Sequence, residues 1–327
     1  MSLPNNRYKN ILILGGAGFI GSNLAKEYVK LNHKVIIIDG FVKNTGANIS
    51  NITNFLNDIE FYKEKVENLN NLTEIIEKSD LIIDAMGLTS HSLGMENPIR
   101  DIHLNLISHV AVIEALKNSK NKTVFYLGSR AQYGNAKKKV ITETTAQNPI
   151  DAQGINKMAA EYFYRIFATP YKYRFLSLRI SNCFGENQKI DGVDIGLVGS
   201  VIRDLMNGKT FEIFEDQNRE KYIIYVKDLV DIISKYNLFD KNQCEVYNIS
   251  GNKVSMKALV DLIIKTIGKG DYIVKPFPQK YKQIDVSNLT FSDGKIKNKL
   301  KDYQFTDLSS SIVNTIKYFQ KKFGAEL

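Results

Sequence analysis

The stretch Gly15-Gly16-Ala17-Gly18-Phe19-Ile20-Gly21 decides how this chain folds. It follows the apolar run Asn10–Leu14, which reads as a buried strand. It opens the pattern Ile20–Leu31, which reads as a helix with Leu24, Tyr28 and Leu31 on one face. The run satisfies Gly-x-Gly-x-x-Gly from Gly16 and Gly-x-x-Gly-x-x-Gly from Gly15. Glycines at these places permit a tight turn, close approach of backbone to a pyrophosphate, and tight helix–strand packing. The helix start then offers N–H groups and partial positive charge to phosphate, so Gly15, Gly18, Phe19, Ile20 and Gly21 are candidate cofactor-binding residues. A glycine run alone could be a structural turn. Here the strand before it, the helix after it and an acid 18 positions past Gly21 agree. That acid, Asp39, ends the second strand-like run, Lys34–Asp39, where a carboxylate can accept both hydroxyls of an adenosine ribose. It would repel a 2′-phosphate, which favours NAD(H) over NADP(H); Lys43 nearby keeps the second option open.

Further strand-like runs follow at Ile59–Lys65, Asp80–Ala85, Thr123–Gly128 and Arg174–Ile180. Helical stretches separate them, notably Ile99–Leu116 and Asn156–Phe167. Continuous Val/Ile/Leu runs mark strands covered on both faces. Their alternation with helices predicts an α/β fold, a Rossmann-type doubly wound parallel sheet over residues 1–180. Beyond about residue 180 the pattern changes. Ile195–Asn207, Lys227–Tyr236, Ser255–Ile267 and Leu308–Phe319 look helical, and Thr210–Phe214 and Tyr222–Val226 look like strands. We expect a smaller C-terminal substrate-binding lobe over 181–327, with about 222–250 packing back on the first domain. No Gly/Ser/Pro-rich linker separates the two, and no repeat of solenoid length recurs.

Composition excludes several classes. Hydrophobic residues are 43% and charged residues 24%, which rules out wholesale disorder. The net charge of +9 is spread along the chain, and its densest run, Lys137-Lys138-Lys139, is too short for a nucleic-acid arm. No apolar stretch is long enough for a membrane helix, and the first ten residues hold no apolar signal region. Cys183 and Cys244 form no disulfide or metal framework, which fits a reducing cytoplasm. His33, His91, His103 and His109 show no metal-ligand grouping, so no metal is expected. A Gly-x-Ser-x-Gly elbow is absent.

With these motifs the sequence resembles the extended short-chain dehydrogenase/reductase family, the NAD-dependent nucleotide-sugar epimerases, dehydratases and reductases. The resemblance spans nearly the whole chain. Gly-Gly-Ala-Gly-Phe-Ile-Gly-Ser-Asn-Leu at 15–24 matches its nucleotide loop. Asp84-Ala85-Met86-Gly87 resembles the segment beside the cofactor, and Met95-Glu96-Asn97-Pro98 with Asn105 resembles the following helix. Leu127-Gly128-Ser129-Arg130-Ala131-Gln132-Tyr133-Gly134 resembles the strand that carries a catalytic Ser or Thr. Arg179 to Gly185, Tyr225 to Val230 and Tyr247 to Gly251 resemble later family segments. The resemblance implies NAD as cofactor, a nucleotide-sugar substrate, and a homodimer joined through helices Ile99–Leu116 and Asn156–Phe167. It also implies cofactor contacts at Ala85, Met86, Gly87 and Lys157, and substrate contacts at Asn182. The family's diphosphate-gripping Arg falls, ungapped, on Lys221, with Arg219 two residues earlier. Its Asp near adenine is replaced here by Lys65-Val66.

One departure matters more than these matches. The family carries Tyr-x-x-x-Lys on a helix, the Tyr acting as general acid/base. Here Lys157 is present and Ser129 stands upstream, but the Tyr place holds Gln153. Glutamine hydrogen-bonds but does not ionise in water. Three readings follow. Another group supplies the proton, with Tyr133, Lys157, a water and His91 as candidates; or the proton step lies elsewhere on the sugar; or the chain binds cofactor and sugar nucleotide without turnover. A basic, nucleic-acid-associated Rossmann protein is a third class, opposed by the lack of clustered Lys/Arg with interleaved aromatics.

Overall fold

The computed structural model describes residues 8–192, 195–214, 218–239, 242–278, 289–301 and 303–323. The first strands in chain order are β1 (Asn10–Leu14), β2 (Lys34–Ile38), β3 (Ile59–Tyr62), β4 (Leu81–Asp84), β5 (Thr123–Ser129), β6 (Val140–Ile141) and β7 (Arg174–Ile180). Then come β8 (Asn182–Phe184), β9 (Phe211–Phe214), β10 (Glu220–Tyr225), β11 (Cys244–Ile249), β12 (Asn252–Ser255), β13 (Tyr272–Lys275) and β14 (Thr290–Phe291). Seven of them form one parallel sheet in the order β11-β7-β5-β4-β1-β2-β3. This is the Rossmann-type doubly wound arrangement that the apolar runs predict. Strand alternation divides the core: Ile11 and Ile13 of β1 join one hydrophobic cluster, Leu12 and Leu14 the other.

The strand order turns back between β1 and β4, and in such sheets ligands bind outside the carboxyl ends at that switch point. Register brings Leu14 beside both Ile38 and Asp84, so Gly15, Asp39 and Ala85 leave the sheet at one level.

The helices are α1 (Phe19–Lys30), α2 (Leu72–Lys78), α3 (His91–Glu96), α4 (Pro98–Ile102), α5 (Ser108–Leu116), α6 (Ala152–Tyr171), α7 (Leu197–Met206), α8 (Val226–Lys235), α9 (Met256–Ile267), α10 (Gly294–Leu300) and α11 (Leu308–Phe323). The expected helix Ile99–Leu116 is α4 and α5 joined by a π-helical turn at His103–Ile107. That turn buries Asn105, which binds both backbone groups of Leu88 at 3.0 Å. The expected helix Asn156–Phe167 starts earlier, at Ala152. Asp151 caps it by accepting from the Gly154 N–H at 2.7 Å. Gly154 masks this start in the sequence, yet a Cβ there would lie 2.7 Å from the Ala131 carbonyl oxygen. The expected third strand ends at Tyr62 rather than Lys65.

Residues beyond β7 build smaller sheets, β12-β10-β8 and β13-β9, while β11 returns to pair with β7 in the large sheet. Among the described residues no helix is long and apolar enough to cross a membrane.

Candidate active site

At the switch point the backbone itself makes the cradle. Gly15 has φ +73°, and a Cβ there would stand 3.0 Å from the Ala85 carbonyl oxygen. Gly21 is tighter still, with its virtual Cβ 2.3 Å from the Gly15 oxygen. Phe19 and Ile20 pack their side chains on the core, and no side chain caps α1. The first-turn amides of α1 therefore keep their hydrogen-bonding capacity for an anion. Asp39 is buried, and its carboxylate accepts from the N–H groups of Ala17 and Phe41, each at 2.9 Å. Burial raises its pKa above the ordinary aspartate value, against those backbone N–H groups. Gly15, Gly18, Asp39, Ala85, Met86 and Gly87 line a cleft of about 580 Å³, with Lys65 and Val66 at its rim. The turn, the uncapped helix and the carboxylate fit a dinucleotide.

Behind Met86 and Gly87, which line this cleft, α6 presents Gln153 and Lys157 on one face, one turn apart. Both are buried. The Lys157 Nζ donates to the Met86 and Leu127 carbonyls at 2.8 and 3.2 Å. Gly87, at φ +146°, makes room for it: a Cβ there would lie 2.9 Å from Nζ and 2.7 Å from Asn105 Oδ1. Burial pulls the Lys157 pKa down to about 8, although Asp84 and Asp101 push it back. Gln153 donates from Nε2 to the Leu88 carbonyl at 3.4 Å, while its Oε1 is buried without a partner. Lysine and glutamine thus hang on the same 86–88 segment.

Behind them lies a polar network that sequence reading missed. The Asp84 carboxylate binds His109 Nδ1 at 2.5 Å and accepts from Tyr164 Oη at 2.7 Å. Asp101 accepts from Asn105 and Asn156 at 2.9 and 2.7 Å. Both carboxylates are fully buried, and their charge faces the Lys157 ammonium. Only the buried polar spacing Asp101…Asn105, one helical turn, hinted at this in the sequence.

The remaining candidates divide. Ser129 caps the turn after β5, its Oγ accepting from the Ala131 N–H at 3.1 Å. The Tyr133 hydroxyl donates to Asn248 Oδ1 at 2.7 Å and accepts from Arg179 at 2.6 Å; it is buried and committed to that network. His91 Nδ1 meets Asp151 Oδ2 at 2.9 Å at the mouth of α6. Asn182 donates to the Tyr222 carbonyl at 2.9 Å, tying β8 to β10. Lys221 is the second residue of β10, and Arg219 immediately precedes the strand. Arg219 lies near Arg130, the residue after Ser129: burial first, then the Arg219 charge, holds the Arg130 pKa below its ordinary value. Arg130 was not singled out by the sequence reading. No three His, Cys, Asp or Glu side chains are grouped to hold a metal among the described residues.

The profile of the NAD dependent epimerase/dehydratase family matches residues 11–250, a span that includes the cradle, Gln153 and Lys157. The chain belongs to that family. A Methanocaldococcus jannaschii protein, provisionally named a UDP-glucose 4-epimerase, is 28% identical over 261 residues, 79% of this chain and 82% of that one. The dTDP-4-dehydro-6-deoxyglucose reductase of Escherichia coli is 26% identical over 263 residues, 79% of this chain and 81% of its own. The UDP-glucuronic acid 4-epimerase of Bacillus cereus, solved with UDP-glucuronic acid and NAD, shares the fold at TM-score 0.83 and 20% identity. That match covers 95% of this chain and 99% of that one.

Proposed function

We propose that this chain is an NAD-dependent enzyme that acts on a nucleotide-linked sugar by transient hydride transfer, with Gln153 in the place of the family's tyrosine. The observation that carries this reading is the pairing of Gln153 and Lys157 against residues 86–88, at the end of a cleft whose other end holds Asp39. Gly15, Gly18, Phe19, Ile20 and Gly21 would hold the pyrophosphate, Asp39 the adenosine ribose, and Lys157 the nicotinamide ribose. NAD supplies the hydride acceptor. Ser129 would orient a sugar hydroxyl, and Asn182, Arg219 and Lys221 would grip the nucleotide diphosphate. The relatives include both epimerases and a reductase, so the reaction is carbonyl chemistry on the sugar ring, in whichever of those outcomes.

The chain divides at about residue 180. Residues 1–180 bind the dinucleotide and 181–327 bind mainly substrate, with about 222–250 packed back on the first part through β11. It acts in the cytoplasm, where Cys183 and Cys244 stay unpaired. It is a homodimer: Ile99, Ile102, Ile107, Ile155, Tyr162 and Ile166 are exposed on α4–α6, with Ile99 at 70% and Ile166 at 60%. Such an apolar face is a cost in water unless a second copy covers it. Light scattering should give twice the chain mass; a concentration-independent monomer would rule the dimer out.

Mass spectrometry of small molecules released from the purified protein tests the function. NAD and a sugar nucleotide are expected, followed by epimerisation, dehydration or reduction of that sugar. Binding of both without turnover would make the chain a non-catalytic homologue.

A further inference from the structure

We propose that Asp84, buried behind the cleft, is the positioning residue for Lys157: it fixes the Met86 backbone that the ammonium binds, and it supplies that ammonium's counter-charge. The proposal rests on the reading of Lys157 as the residue that holds the nicotinamide ribose, and it asks what holds the lysine. The links are short. Asp84 is the last residue of β4, and its Oδ1 accepts from the Met86 N–H at 3.1 Å. The Met86 carbonyl in turn accepts from Lys157 Nζ at 2.8 Å. Met86 and Gly87 line the cleft, and a Cβ on Gly87 would lie 2.9 Å from Nζ. Carboxylate, lysine and cleft wall thus meet at one turn, closed by an aspartate that binds its own backbone two residues on.

The carboxylate is equipped to stay charged in that place. Its Oδ2 meets His109 Nδ1 at 2.5 Å and accepts from Tyr164 Oη at 2.7 Å, so a side chain with no exposure to solvent has three hydrogen bonds. His109 Nε2 is buried and has no partner among the described residues. A second proton on that ring would have nothing to bond, so the imidazole gives Asp84 a hydrogen bond without cancelling its charge. The charges that act on Lys157 Nζ are Asp84 at the end of β4 and, less strongly, Asp101 in α4. The Tyr126 ring of β5 also faces it, with its centroid 4.9 Å from Nζ, while His109 and Tyr164 stand on Asp84. Asp101 is bound by Asn105 and Asn156 and reaches the 86–88 segment only through Asn105. Asp84 alone joins both functions, a bond to the Met86 N–H and a charge opposite the lysine. A buried ammonium keeps its proton only with such a partner. Burial pulls the Lys157 pKa down to about 8, and the two carboxylates hold it from falling further.

The test reads the lysine itself. NMR of protein with isotope-labelled lysine Cε, the signal assigned by its loss in Lys157→Met, should show Lys157 titrating near pH 8 in wild type. Asp84→Asn keeps an acceptor for the Met86 N–H and removes the charge, so the midpoint should fall by about one pH unit, the low end for a lost opposite charge. Tyr164→Phe removes a hydrogen bond and keeps the charge, so the midpoint should stay at the wild-type value. Titration of NAD into each protein should show affinity falling as pH rises through the same midpoint, earlier in Asp84→Asn, and Lys157→Met should bind NAD more weakly at neutral pH without that step. If Asp84→Asn alone does not fold, Asp84→Asn combined with Lys157→Met should, because no charge is then left unpaired. A double variant that also fails shows that Asp84 serves His109 and Tyr164 instead, and overturns the proposal. An unmoved midpoint in Asp84→Asn, or one moved as far by Tyr164→Phe, overturns it too and leaves the proposed function standing. NAD binding by Lys157→Met that matches wild type at every pH overturns both the proposal and the place given to Lys157.

Discussion

The two ends of the cleft are built from different materials. The β1–β2 end is made of backbone: glycine turns, uncapped helix amides, and a carboxylate whose own position is set by the N–H groups of Ala17 and Phe41. The β4–α6 end is made of buried side chains with mutual or backbone partners: Lys157 on two carbonyls, Asp84 on His109 and Tyr164, Asp101 on Asn105 and Asn156. A backbone cradle tolerates almost any side chain around it but no Cβ within it. A side-chain network tolerates exchange of one member when another can take its load. Gln153 lies at the second end, held by one bond to the Leu88 carbonyl and with Oε1 unpartnered, whereas Gly21 has no room for a single added carbon.

The sharpest way to break the comparison is to put a methyl into the cradle. Gly21→Ala would place a carbon 2.3 Å from the Gly15 oxygen, a clash with backbone rather than a flexible side chain. The loop must shift, at a cost of about 1–3 kcal/mol or more, and bound NAD should be lost. Gly18→Ala is the control: its nearest contact is the same Gly15 oxygen at 3.1 Å, so the shift required is smaller. Thermal melting with NAD content measures both. Equal effects from the two variants would mean that the loop, and not the close approach at Gly21, sets the fit.

How much of each end could be read in the sequence follows from the same distinction. The cradle could be read nearly in full, because glycine spacing, a preceding apolar strand and an acid at the next strand end are local patterns. The parallel sheet could be read for the same reason, through runs such as Lys34–Asp39 and Asp80–Ala85. The network could not. His109 lies 25 residues from Asp84 and Tyr164 lies 80, and nothing local says that they meet. The π-turn that directs Asn105 inward has no residue signature of its own, and Gly154 concealed the true start of α6. Arg130 went unread because its burial, and the Arg219 charge beside it, come only from the fold.

A second experiment sharpens the side-chain end. Burial lowers the Lys157 pKa from 10.5 to about 8, against the pull of Asp84 and Asp101. Between those values the unfolded chain binds more protons than the native one, so stability rises with pH across that window and is lower below it. The full span is worth about 3 kcal/mol at 1.36 kcal/mol per unit. Urea unfolding of wild type and Lys157→Met at several pH values isolates it: the wild-type-minus-variant difference should climb from pH 8 to 10.5. A flat difference would mean that the ammonium is not desolvated, and that water reaches the site.

The smallest expected effect is at Asp39, where backbone and charge can be separated. Its oxygens hold the N–H groups of Ala17 and Phe41, and its charge is the feature that should reject a 2′-phosphate. Asp39→Asn keeps an oxygen for one of those N–H groups while removing the charge. It should narrow the preference for NAD over NADP by about tenfold, or 1.4 kcal/mol, with little change in stability. Asp39→Ala should narrow the preference similarly and also destabilise the loop by about 1–3 kcal/mol, because two N–H groups lose their partner. The sign of the pH dependence is fixed by the raised pKa. As pH falls, this carboxyl takes up its proton sooner than an ordinary aspartate, so the wild-type preference should shrink on the acid side while that of Asp39→Asn stays level. Parallel titrations of the two cofactors into each protein read all of this. Tighter binding of NADP than NAD by wild type would show that Lys43 or Lys65, and not Asp39, governs this end of the cleft.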